Sequence, residues 1–192
     1  MPTPRFVLAA FAATMLAVPL AHSQTMPPAA PPAAPAAVVP AAPPAVPEAM
    51  PFDIPYGTPI SMEMAHKAIM AAAEEAKKHN WKMAITVVDP NGNLVAHATM
   101  DGTQYASIPI AQAKARTAAQ YRRPSKVFED AVNAGGRPSV LSLMVLTGGA
   151  ASEGGFPIVV DGKLIGAIGA SGGIASQDAV TARAGLVAAG GK

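Results

Sequence analysis

The stretch Phe156-Pro-Ile-Val-Val-Asp-Gly-Lys-Leu-Ile-Gly-Ala-Ile-Gly-Ala170 decides the fold. Two apolar runs flank Asp161-Gly162, and a two-residue Asp-Gly connection between such runs is the signature of a tight antiparallel hairpin. A second hairpin reads upstream. Met83–Val88 is β-branched, Asp89-Pro-Asn-Gly-Asn93 turns the chain, and Leu94–Met100 returns with Leu94, Ala96, Ala98 and Met100 on one face. Helical spacing surrounds these hairpins. In Ser61–His79, Met62, Ala65, His66, Ile69, Ala72, Ala73 and Ala76 recur every three or four residues, opposite Glu63, Lys67, Glu74, Lys77 and Lys78. Ser61 suits the N-cap, and the cations of the last turn suit the negative end of the helix. Ser107–Tyr121 is a second helix, with Pro109 in its first turn and Ile108, Ala111, Ala115 and Ala118 on one side. Ser125–Val132 forms a short third helix, Ser139–Leu146 fits helix and strand equally, and Ser176–Ala189 closes the chain as a helix. The order α-ββ-α-α-ββ-α predicts an α+β layer fold over residues 54–192.

Outward from that domain the composition changes. Residues 25–51 hold ten Pro and ten Ala in 27 positions. Proline offers no amide hydrogen and alanine buries little area, so no core forms there. Residues 24–53 are read as a Pro/Ala-rich disordered linker, either a spacer or a tolerated low-complexity leader. Before it stand Arg5, an apolar run Phe6–Leu20 and Ala21-His22-Ser23. A charged start, an apolar core of that length and small residues two apart make residues 1–23 a secretory signal, cleaved near Ser23. The expected location is therefore the periplasm or the extracellular space, with no transmembrane segment in the mature chain. Its loss takes the net charge from +2 to +1.

Composition excludes several chemistries. Lys and Arg total 14 against 12 acids, too balanced and too dispersed for a nucleic-acid footprint. Zero Cys removes disulfides, thiolate zinc, iron–sulfur clusters and thiol catalysis. Gly169-Ala-Ser-Gly-Gly173 matches the nucleophile-elbow pattern, but no His follows it to complete a triad. Gly166, Gly169 and Gly172 do not make the dinucleotide spacing, so no NAD site is expected. His66, His79 and His97 lack zinc-ligand spacing, while one axial ligand to a large planar cofactor needs only a single residue and stays open.

Four further stretches carry a resemblance: Ile60-Ser-Met-Glu-Met-Ala65; Ala84-Ile-Thr-Val-Val-Asp-Pro-Asn-Gly-Asn-Leu-Val-Ala96; Met100-Asp-Gly102 with Ala106-Ser-Ile108 and Lys114-Ala-Arg-Thr-Ala118; and Gly155-Phe-Pro-Ile158 with Asp161–Gly173 and Gln177-Asp178. In this order and spacing they resemble the GlcG/HbpS family, which also forms the carboxy-terminal domain of PduO-type proteins. The resemblance implies a profilin-like antiparallel sheet flanked by helices, homo-oligomers, and haem binding in several members. The chain departs from the family at Pro109, His97 and Thr99.

Under that resemblance the expected function is a secreted haem carrier, sink or slow degrader. The alternative is an accessory protein or enzyme of small organic acid or corrinoid metabolism with incidental haem affinity. Met62, His66 and Ile69 are expected against the porphyrin, with His66 as axial ligand to the haem iron, although a histidine at a helix–sheet edge is also ordinary packing. Lys114 or Arg122 would meet the propionates, or simply furnish a cationic helix end. His79 reads as a solvated cap and His97 as a sheet residue. Haem is expected at one per protomer or per pair, in a site open to a surface or to a second protomer.

Overall fold

The computed structural model describes residues 48–135 and 137–192. Residues 1–23, where a secretory signal is expected, and most of the proline-rich segment lie outside the described residues. The elements run α1 (Met62–Lys78), β1 (Ala84–Val88), β2 (Leu94–Thr99), α2 (Ser107–Gln120), α3 (Lys126–Asn133), α4 (Pro138–Thr147), β3 (Gly155–Val160), β4 (Lys163–Ser171) and α5 (Ala175–Ala188). Pro138 at the first helical position and Gly148 in the left-handed conformation at the end settle 138–147 as a helix. The expected order and α+β class stand.

The four strands form one antiparallel sheet in the order β2-β1-β4-β3. Each hairpin supplies one half, and β1 and β4 join them with Val87 opposite Ile168. The second hairpin turns at Asp161 (φ 50°) and Gly162 (φ 73°), the left-handed pair that a two-residue turn matched to strand twist requires. Residues 55–60 run along β4, where Leu164 donates to Pro55 O and Gly57 donates to Leu164 O.

Helices cover both faces, so β1 is buried along its whole length. α1 and α5 lie on one face. Ala65, Ala68, Ile69, Ala72 and Ala76 pack there with Ile85, Val87, Ile168, Ala182 and Leu186. α2 lies on the other face, where Ala115, Ala118 and Ala119 meet Val88 and Ala167. Small residues on the helix and sheet permit a close approach. A side chain at Gly169 would meet Ala111 O, and would sit 2.6 Å from the Ala115 amide nitrogen. α3 and α4 form a smaller cluster of their own around Phe128, Val140 and Met144.

Candidate functional site

The three histidines of the domain meet different fates. His79 stacks on Trp81 at 4.3 Å between ring centroids, and its ring nitrogen lies 3.3 Å from Glu75. His97, on the edge strand β2, is held between two hydroxyls: Nδ1 lies 2.7 Å from Thr86 Oγ1 and Nε2 lies 2.9 Å from Thr99 Oγ1. Burial pushes its imidazole below the ordinary histidine range. His66 has neither kind of engagement among the described residues and is exposed.

That exposure corrects the expected face of α1. The buried stripe is Ala65, Ala68, Ile69, Ala72, Ala73 and Ala76, with its centre rotated away from His66. Ala68 belongs to it, whereas Met62 is 65% exposed. The reason is the small size of alanine. The alanines let α1 close on α5, where a side chain at Gly185 would sit 2.6 Å from Ala68 O and 3.2 Å from Ala72 Cβ, and the longer Met62 and His66 are left at the margin. Met62, His66 and Met70 are spaced by four and so form one exposed row along the helix, with Met70 58% exposed. Ile69 is buried under the helix at 4% and does not share that row.

Lys114 is not at a rim. Its side chain is 2% exposed and its Nζ lies 2.6 Å from Asp178 Oδ2, itself 3% exposed. Asp178 Oδ1 also accepts from the Gly173 amide at 3.0 Å. Burial pushes the Asp178 carboxyl up, against the pull of Lys114 and the Gly173 and Gly172 amides. The pair joins α2 on one face of the sheet to α5 on the other, past Gly154. The edge of an apolar stripe, read from sequence, gave Lys114 as a rim cation; a partner 64 residues away takes it inside instead.

Arg122 does line a cavity, of about 310 Å³, with Arg123, Arg183, Lys192, Phe52 and Phe156. None of Met62, His66, Ile69 or Lys114 is part of it. The structure therefore does not bring the five expected residues together. Two larger open clefts share Ser61, Met64 and Val160, at the start of α1 beside the β3–β4 hairpin, and contain none of the five. No cluster of three or more His, Asp or Glu suited to a metal ion occurs among the described residues.

Of the groups on display, His66 fits one requirement of haem: an uncommitted imidazole free to offer a nitrogen to iron, flanked one turn on either side by an exposed thioether. The row does not enclose a ligand, so it fits a surface-bound or shared cofactor and not a sequestered one.

Residues 60–187 match the family model described as haem-degrading protein HbpS-like. Protein GlcG of Escherichia coli K12 is 45% identical over 112 residues, which is 58% of this chain and 81% of that protein. The crystal structure of Klebsiella pneumoniae protein ORFY superposes with a TM-score of 0.65 at 27% identity, covering 70% of this chain and 92% of that one. A crystal structure of a PduOC–haem complex superposes with a TM-score of 0.63 at 27% identity, covering 68% and 95%.

Proposed function

The chain belongs to the HbpS-like family of haem-degrading proteins, and from that premise we propose that it is an exported haem-binding protein acting as a carrier or sink. The single observation on the molecule that supports this is the Met62–His66–Met70 row on α1. His66 would supply one axial nitrogen, and the two thioethers would lie against the macrocycle, since methionine sulfur makes favourable contacts at aromatic rings. The haem's own contribution is the iron that the imidazole binds. Because the row is open, exchange would be easy, which suits transfer or scavenging. A structure of the related PduOC with haem supports the class of ligand. Homo-oligomers would add a second wall to so open a site, and the leader at residues 1–23 would deliver the protein to the periplasm or beyond.

Hemin titration of protein recovered from the exported fraction tests the reading. The mass of that chain should begin near Gln24. Wild type should saturate at one hemin per protomer or per pair, with a shifted Soret band. His66→Ala should lose the shift and about tenfold or more in affinity, the order of one lost charge-assisted or ligand interaction. An identical Soret band and affinity in His66→Ala would remove this site, and nonspecific uptake by wild type would remove the haem reading.

A further inference from the structure

The cavity beside β3 is lined by cations. Arg122 and Arg123 reach it from the end of α2, Arg183 from α5 and Lys192 from the last residues, over an apolar floor that includes Phe156, Pro157 and Leu186. In a chain of net charge +2, three arginines around one cavity of about 310 Å³ are a local concentration of positive charge. Aromatic rings hold the guanidiniums in place. Arg123 sits 3.9 Å from the Phe52 ring centroid and 5.4 Å from that of Phe128, and Arg183 sits 4.7 Å from that of Phe156.

Little in the protein neutralises these charges. Asp53 approaches Arg122 at 3.6 Å but is 78% exposed, which makes a weak, solvated pair. Among the described residues no side-chain carboxylate lies within ion-pair distance of Arg123 or Arg183. Arg123 is pushed below the ordinary arginine range, first by burial and then by repulsion from Arg122. The backbone is strained at the same place. Among the described residues, Phe52 (φ 63°) and Arg122 (φ 55°) are two of the four non-glycine residues with positive φ, and both line the cavity. Strain concentrated beside like charges that so little carboxylate offsets is the pattern of a site held ready for a ligand of opposite charge.

We propose that this cavity binds a small organic anion, a carboxylate carried on a flat apolar body. The planar fork of Arg183 matches a carboxylate in geometry as well as charge, Arg122 adds charge although its Nη1 already donates to Ile54 O at 3.0 Å, and Phe52 and Val159, the less buried apolar members of the lining, offer a surface for the body. The volume lies at the lower end of ligand pockets, about 300–1,000 Å³. That suits a ligand far smaller than a tetrapyrrole and separates this site from the α1 row.

Calorimetric titration with benzoate at low ionic strength tests the site, with benzamide as the neutral isostere and inorganic phosphate as the bodiless anion. Benzoate should bind one per protomer, weaken as salt is added, and exceed benzamide and phosphate by about tenfold or more. Arg183 is exposed on α5, so Arg183→Gln should fold normally and lose about tenfold in benzoate affinity. Arg183→Lys should regain part of it, and His66→Ala should bind benzoate as wild type does. Equal binding of benzoate and benzamide, equal binding of phosphate, or an unaltered Arg183→Gln would each overturn the proposal. Hemin affinity is read on the same variants, and Arg183→Gln should leave it unchanged, so a failure here is separable from a failure of the haem site.

Discussion

At the scale of single residues, Lys114 and Asp178 are the most consequential pair in the domain. Two charges withdrawn from water cost several kcal/mol each, and contact at 2.6 Å with a supporting amide returns that cost only while both partners are present. Removing one should therefore be far worse than removing both. Asp178→Asn keeps an oxygen for the Gly173 amide yet strands the ammonium of Lys114. Chemical denaturation should show a loss of roughly 3–5 kcal/mol. Lys114→Met combined with Asp178→Asn should recover a large part of that loss, through a coupling of about 1 kcal/mol or more. Strict additivity of the two substitutions would mean that the pair does not act as a unit. Nothing near Lys114 in sequence announces this role. Its neighbours on α2 describe the edge of an alanine stripe, and the acid that takes it inside belongs to a helix on the far face of the sheet.

At the scale of elements, alanine and glycine set the distances. α2 lies so close to β4 that position 169 has no room for a methyl group. In Gly169→Ala the new Cβ would meet the Ala111 carbonyl oxygen and the Ala115 backbone, neither of which can swing aside as a flexible side chain would. The helix must then lift, and overpacking of this kind costs about 1–3 kcal/mol. Thermal unfolding of Gly169→Ala should show that loss, and unchanged stability would mean that α2 is more loosely seated. The same close packing marks what was legible beforehand. Hairpins with Asp-Gly and Pro-Asn-Gly turns, the Ser61 cap that accepts from the Met64 amide at 3.2 Å, and the order of elements are local signals, and they read correctly. The rotation of α1 was not legible. A stripe containing Met62 and His66 and a stripe containing Ala68 both satisfy helical spacing, and only the close fit of the alanines to α5 and the sheet selects the second. The 138–147 segment, apolar on every side, has no period to read, and its capping residues decide it. The cationic cavity draws on α2, β3, α5 and the segment before α1, so no single window of sequence contains it.

At the scale of the whole molecule, α4 poses a problem that one protomer does not solve. A helix apolar on all sides belongs in an interior, yet α4 buries only Val140 and Met144. Leu141 is 51% exposed, Leu143 45%, Val145 82% and Leu146 81%. The remaining surface does little to keep copies apart, because charged residues are 14% of the chain and the net charge is +2. A cluster of exposed apolar side chains on a weakly charged protein is the kind of surface that partners cover. Self-association through α4 would also explain why the helix carries no charged side chain: an isologous contact would bury the same face of each copy. Light scattering at micromolar concentration should therefore give a multiple of the protomer mass. Val145→Glu with Leu146→Glu should shift that mass to the monomer, because burying four carboxylates across a two-fold contact costs more than the apolar area returns. Both substituted positions are solvent-facing in the protomer, so its thermal unfolding should change little, and a loss of assembly can be told from a loss of fold. A wild-type monomer, or a glutamate variant of unaltered mass, would place the contact elsewhere or deny it.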